Sequence, residues 1–212
     1  MDGNNRWSIK NSKTKFDAYS KGAQKLISIS EYIFKNSNVR YISAFALSNN
    51  NLYRAKSIIN ILKNILSDYL DDEKNISNLN FQIIFFGDLS FLGKKLNDKI
   101  KKLEKFKKNK KKKLLIFLNY SGRKDIKMQY TQRNIISNYE NNSFNKNLAT
   151  NNIPDPEILI RTGGYQRISD FMLYQIAFTE LFFLKKLWPD ISNNDVKKII
   201  FNFKLIKRKF GL

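Results

Sequence analysis

Ile158-Leu159-Ile160-Arg161-Thr162-Gly163-Gly164-Tyr165-Gln166-Arg167-Ile168-Ser169-Asp170-Phe171 is an apolar run that stops at an arginine, followed by two glycines, a second arginine and a serine. Ile158 to Ile160 reads as a buried strand, Gly163-Gly164 permit a turn with bare backbone N–H groups, and helical spacing resumes from Phe171 to Leu184. Such a turn lies outside the carboxyl end of a parallel strand, where ligands of α/β sheets collect. Arg161 and Arg167 offer planar donor forks to a diphosphate, which lysines would hold only as point charges, and Ser169 adds a hydroxyl. Read alone, the same residues also describe an ordinary strand-to-helix turn with solvated arginines.

The segment continues through Leu173-Tyr174-Gln175-Ile176-Ala177, Thr179-Glu180-Leu181-Phe182-Phe183 and Leu187-Trp188-Pro189-Asp190. Three blocks precede it: Met1-Asp2-Gly3-Asn4-Asn5-Arg6-Trp7, Ser48-Asn49-Asn50-Asn51-Leu52-Tyr53-Arg54 and Asn119-Tyr120-Ser121-Gly122-Arg123. In this order the blocks resemble the cis-prenyltransferases, the isoprenyl (undecaprenyl) diphosphate synthase family, over essentially the whole chain. The resemblance implies an α/β fold in one domain, a parallel sheet flanked by helices, with a hydrophobic tunnel for a growing prenyl chain. It implies condensation of isopentenyl diphosphate with an allylic diphosphate such as farnesyl diphosphate. The product would be a cis-polyprenyl diphosphate on the way to a cell-wall carrier lipid, made by a Mg²⁺-dependent homodimer.

The chain of 212 residues fits one domain with a sizeable core and contains no stretch resembling a Pro/Gly/Ser linker. A formal charge of +21, from 39 Lys and Arg against 18 Asp and Glu, points to a polyanionic partner: nucleic acid, an anionic membrane surface or diphosphates. The Asn, Lys and Ile bias of the sequence would yield the same surface charge with no partner at all. There is no cysteine and no histidine, which excludes disulfides, thiolate metal sites and histidine acid/base chemistry. No apolar run approaches the roughly 18 residues of a membrane span. A cytoplasmic protein, with at most peripheral contact to an anionic membrane, is expected.

Asp2 to Trp7 combine a carboxylate, a glycine, amides and an arginine in a turn-forming stretch, the ingredients of a phosphate cradle beside a Mg²⁺ ligand, although by themselves they are also just a polar terminus. The resemblance makes Asp2 the essential carboxylate near Mg²⁺ and the allylic diphosphate. It gives Gly3, Asn4, Asn5, Arg6 and Trp7 the grip on that diphosphate. Asn5 stands where the family has glycine, so any backbone there needing positive φ would be less comfortable. The family also has an apolar strand leading into this aspartate, so a start upstream of Met1 is expected; as given, Asp2 would hang from a mobile terminus. Lys15 and Tyr19 occupy positions of an arginine and a histidine in the family. Lysine keeps the charge without the fork, and tyrosine can donate but carries no positive charge.

Ser48, Asn49, Asn50, Asn51, Leu52 and Arg54 leave the end of a strand from Tyr41 to Leu47, on the same rim as Asp2 and Arg161. The resemblance places Asn51 at the position assigned as proton acceptor. An amide is a poor base, so positioning of isopentenyl diphosphate is its expected role, with a diphosphate oxygen taking the proton. Asn50 replaces a glutamate and Leu52 a tryptophan. Arg161, Arg167, Ile168 and Ser169 would bind the second diphosphate, while Glu180, on the expected helix, matches a glutamate implicated in Mg²⁺ binding and Tyr165 replaces another glutamate.

Among the remaining segments, Lys13 to Ile33 reads as a helix, and Ala55 to Tyr69 carries an apolar stripe that is core by default and tunnel wall by resemblance. Phe81 to Phe86 and Leu114 to Leu118 read as strands, and Leu92 to Phe106 and Asp195 to Lys207 as basic helices. Lys107 to Lys113 reads as a solvated turn, or less favourably as a lipid or nucleic-acid contact. Met128 to Asn152 is Asn-rich and weakly patterned, read as helix with loop. Two rivals stay open: a non-catalytic family member supporting an active partner, and a basic nucleic-acid binder, which the charge alone supports.

Overall fold

Thr14 and Asp17 form a reciprocal capping box, each satisfying the other's backbone N–H, and so fix the start of the longest helix at Lys15 rather than Lys13. This computed structural model describes residues 1–52, 56–106, 108–131 and 148–209. In chain order its helices are α1 (Asn4–Lys10), α2 (Lys15–Asn36), α3 (Asn49–Leu52), α4 (Lys56–Asp71), α5 (Glu73–Asn78), α6 (Lys94–Phe106), α7 (Gly122–Thr131) and α8 (Asn193–Leu205). The strands are β1 (Tyr41–Ser48), β2 (Gln82–Phe86), β3 (Lys113–Tyr120), β4 (Ile158–Arg161) and β5 (Glu180–Phe183). All pairings are parallel, β1-β3-β2 in one ladder and β4-β5 in another. The α/β parallel sheet is thus as the sequence predicts, divided into two ladders. The free edges of β1 and β4 line one cavity of about 1520 Å³.

β3 runs through the centre, and its period-two alternation feeds two cores. Leu114 and Leu118 face the larger one, with Ile29, Ile33 and Phe34 of α2, Ile83 of β2 and Ile100 of α6. Leu115 and Phe117 face the other, as does Tyr120 beyond the break in alternation at Asn119 (φ 51°), together with Met172 and the Phe45–Phe171 ring pair, stacked at 4.7 Å. α2 carries its apolar stripe on Leu26, Ile29, Ile33 and Phe34 as the spacing requires, and Gly22, an interior weak point for a helix, accepts the Trp188 indole N–H at 2.8 Å.

Three expectations change. The helix expected from Phe171 to Leu184 is instead a run of turns ending in β5. Ser169, Asp170 and Met172 have φ of 52°, 67° and 47°, which an α-helix cannot contain, and Leu181-Phe182-Phe183 pair with Leu159-Ile160-Arg161. Short apolar runs of this length are ambiguous by periodicity alone. Residues 90–92 form a separate 3-10 turn ahead of α6. The amino-terminal residues are tied down: Asp2 N–H donates to Thr162 Oγ1, and Asp2 C=O accepts from both Thr162 Oγ1 and Trp188 N–H, all at 2.9 Å. Lys112 reaches the Phe34 carbonyl at the end of α2, while Lys108, Lys110 and Lys111 are solvated. Among the described residues no helix is long and apolar enough to cross a membrane.

Candidate active site

Asp2 lies between two guanidiniums supplied from segments far apart in the sequence, Arg6 and Arg161. Its Oδ2 accepts from Arg161 Nη2 at 2.8 Å and its Oδ1 from Arg6 Nη2 at 3.3 Å. Arg161 is aimed by its position as the last residue of β4, and its Nη1 also donates to Ser169 Oγ at 2.7 Å and to the Arg167 carbonyl. Arg6 is aimed by α1, one turn on from Asp2, and Nη1 donates to the Gly163 carbonyl at 2.7 Å. Gly163 has φ +89°, and a Cβ there would lie 2.4 Å from Arg6 Nη2 and 3.2 Å from Asp2, so glycine permits the amino terminus and the turn after β4 to close on each other. The turn's N–H groups are not bare, contrary to the sequence reading. Gly163 N–H donates to the Lys186 carbonyl at 2.7 Å and Gly164 N–H to the Leu184 carbonyl at 2.9 Å, so these two donors are not offered to an anion.

Gly3, Asn4 and Asn5 line the same cavity, and the positive φ that glycine is suited to falls on Gly3 (φ 110°), leaving Asn5 in ordinary helix with no strain. Tyr19 lines it from α2. Burial, and then the Asp2 charge, push its phenol above the ordinary value, so it remains a neutral hydrogen-bond donor. Ser48, Asn49, Asn50 and Asn51 line the cavity from the end of β1. There a break in the β1–β3 register brings buried Asn49 to Asn119 Oδ1 at 2.6 Å, while Asn50 and Asn51 are exposed. Arg167, Ile168 and Ser169 complete the rim, and two cations of α7 join it: Arg123, from the Asn119-to-Arg123 block of the sequence reading, and Lys124, which that reading did not single out. Asp170 was also missed. Its carboxylate accepts from Ser121 Oγ and Arg123 N–H, fastening the end of β3 to the turn that carries Ser169.

Other expected site residues lie elsewhere. Trp7 is buried away from the cavity, its indole N–H donating to Asp190 at 2.7 Å and the Lys21 ammonium 4.3 Å over its ring, so it anchors α1. Lys15 is exposed at the start of α2 outside the lining, and Leu52 packs on the main core. Arg54 lies outside the described residues. Of the α4 stripe Ile58 lines the cavity, whereas Leu62, Leu66 and Tyr69 pack on the core. Glu180 sits in β5 opposite Ile158, at the other end of the β4–β5 ladder from Asp2, and its carboxylate lies 3.9 Å from Arg208. That position separates it from the Asp2 site because parallel strands carry their partners in step.

Among the described residues no group of three or more carboxylates gathers as a metal nest. The Asp2 side chain is 34% exposed and pairs with both Arg6 and Arg161. Mg²⁺ takes one or two carboxylates together with substrate phosphates and water, so Asp2 fits that ion where a diphosphate shares it.

A parallel α/β domain with arginines converging on one carboxylate at the strand ends is an arrangement suited to phosphorylated ligands. The profile of the family described as "Putative undecaprenyl diphosphate synthase" matches residues 1–211. An isoprenyl transferase of Rickettsia typhi is 35% identical over 218 residues, covering 100% of this chain and 95% of that protein. A geranylgeranyl-diphosphate-specific tritrans,polycis-undecaprenyl-diphosphate synthase of Pyrobaculum aerophilum is 34% identical, covering 99% of this chain and 92% of that protein. The crystal structure of lavandulyl diphosphate synthase from Lavandula x intermedia in complex with dimethylallyl diphosphate superposes with a TM-score of 0.87 at 26% identity, covering 100% of this chain and 95% of that one. The chain belongs to the cis-prenyltransferase, or undecaprenyl diphosphate synthase, family.

Proposed function

We propose that this protein condenses isopentenyl diphosphate with an allylic diphosphate such as farnesyl diphosphate, forming cis double bonds and releasing pyrophosphate. The product is a cis-polyprenyl diphosphate that feeds a cell-wall carrier lipid. The observation that carries this reading is the Asp2 carboxylate clasped by Arg6 and Arg161 at the rim of a cavity whose walls include Leu26, Ile29 and Ile33. Donors at the rim suit diphosphates, and apolar walls suit a prenyl chain.

Breaking the allylic C1–O bond moves an electron pair onto the departing diphosphate. Arg6 and the amides of Asn4 and Asn5 face that charge, and preorganised donors stabilise it without reorganising. Mg²⁺, held by Asp2 and the diphosphate, would neutralise the same oxygens. Arg161, Arg167 and Ser169 hold isopentenyl diphosphate. Because Arg161 touches both Asp2 and Ser169, the two diphosphate sites adjoin, and that orientation lets the alkene π pair form the new bond to C1. Loss of a C2 proton then forms the double bond. Asn51 positions the substrate while a diphosphate oxygen accepts the proton.

One solved neighbour holds dimethylallyl diphosphate and one relative is named geranylgeranyl-diphosphate specific, which supports an allylic diphosphate as the ligand here. Homodimerisation is part of the proposal, supported by exposed apolar residues beside β5. The deciding experiment incubates purified protein with Mg²⁺, farnesyl diphosphate and labelled isopentenyl diphosphate and extracts prenyl product. Labelled cis-polyprenyl diphosphate is expected. A folded protein that binds both diphosphates yet yields no extractable product would replace this reading with that of a supporting, non-catalytic family member, towards which the replacement of a family glutamate by Asn50 leans.

A further inference from the structure

Tyr165 projects from the turn after β4 and gathers three guanidiniums: Arg167 at 4.2 Å from its ring centroid, Arg6 at 4.9 Å and Arg161 at 5.9 Å. Arg6 and Arg161 each have other partners in Asp2, Gly163 or Ser169. Arg167 differs. Among the described residues its guanidinium meets no hydrogen-bond acceptor, and the Tyr165 ring is the contact that defines where it stands. Like charges placed together repel, and since Asp2 pairs with Arg6 and Arg161, it is Arg167 that would tend to splay into solvent. A ring face attracts each cation electrostatically without competing for the N–H groups that an incoming phosphate needs. A carboxylate at this position would instead occupy those donors.

From this arrangement the geometry points to Tyr165 as a positioning residue that preorganises Arg167, and secondarily Arg6, for diphosphate binding; the inference rests on the proposed diphosphate site. Its role resides in the aromatic ring and not in the hydroxyl. The consequence is selective: removing the ring raises KM for isopentenyl diphosphate by a larger factor than it lowers kcat, because Arg167, the nearest cation to the ring, is held for binding before any bond changes.

The test measures calorimetric affinity of the whole protein for inorganic pyrophosphate, together with the KM and kcat split. Tyr165→Leu and Tyr165→Gln are expected to weaken pyrophosphate binding about threefold to tenfold, with Tyr165→Phe within about twofold of the wild type. Tyr165 is 44% exposed, so its replacement leaves the core intact, and melting temperatures of all three variants check that. Leucine and glutamine variants that bind pyrophosphate as tightly as the wild type would overturn the inference while leaving the diphosphate site standing. A phenylalanine variant as weak as leucine would overturn it too, by moving the role to the hydroxyl. Failure of the wild type itself to bind pyrophosphate would instead bring down the reading of the site.

Discussion

At Asp2 a single carboxylate has opposite effects with and without metal. Its charge holds Arg6 and Arg161 in place, but in the absence of a cation it also repels an incoming diphosphate. Asp2→Asn is therefore expected to lower Mg²⁺-supported kcat by about 10²–10³-fold, the magnitude of losing one preorganised charge partner. The same change leaves metal-free pyrophosphate binding equal or tighter. Paired activity and calorimetry measurements check this, and weaker metal-free binding in the variant would contradict it. Arg161→Lys keeps the charge but cannot meet Asp2 and Ser169 together. Its KM for isopentenyl diphosphate should rise about tenfold, with steady-state kinetics as the check. Much of this site is legible from side-chain chemistry, since a terminal aspartate and late arginines suit a shared diphosphate. Trp7 shows what is not: an indole beside a phosphate-binding motif reads as part of it, and a three-dimensional partner, Asp190, is what makes it an anchor.

Elements with strong local signals stand where the sequence puts them. α2, α4 and α6 carry 3.6-residue stripes, and α8 begins at a capping box, Ser192 with Asp195. The segment after the arginine pair departs because its backbone is set by tertiary contacts, with Phe171 stacked on Phe45 and Gln175 bonded to Thr150. Spacing alone carries none of that. The α8 cap gives a prediction with a defined pH window. Burial alone would push the Asp195 carboxyl up, but hydrogen bonds from Lys186 and Ser192 outweigh it and bring the pKa down to about 2. A carboxylate with a lower pKa in the folded than in the unfolded state stabilises above its unfolded value near 3.9, and that contribution fades as pH falls through about 2. Asp195→Asn should cost about 1–2 kcal/mol at neutral pH. The difference in melting temperature between the variant and wild type should shrink as pH is lowered from about 4 towards 2. A difference independent of pH would show that packing, and not the charge, does the work.

At the scale of the whole molecule, charge and exposed apolar surface point to different partners. The +21 net charge supports attraction of diphosphates, and a nucleic-acid binder would need the same charge, but the arginines described here converge on Asp2, which a bare polyanion groove would not place at its centre. Apolar exposure is more local. Phe178 (65% exposed) and Leu181 (45%) lie beside and within β5, and Phe201 (60%) and Leu205 (69%) share one face of α8. Arg208 joins these regions, donating to the Phe178 carbonyl and pairing with Glu157 and Glu180. Scattered exposed hydrophobics need no explanation, whereas a group of this size does next to β5, which among the described residues pairs with β4 alone. A second copy of the chain is the occupant proposed here. Sedimentation equilibrium should show a dimer at micromolar concentration, shifted at least tenfold towards monomer by Leu181→Asp with Leu205→Asp, given the roughly 1.5–3 kcal/mol that burying each side chain contributes. Because both residues are exposed within the chain, the variant monomer should keep its folded circular dichroism. A wild type that sediments as a monomer at every concentration would leave that surface without a partner copy, and would require the active site to be complete within one chain.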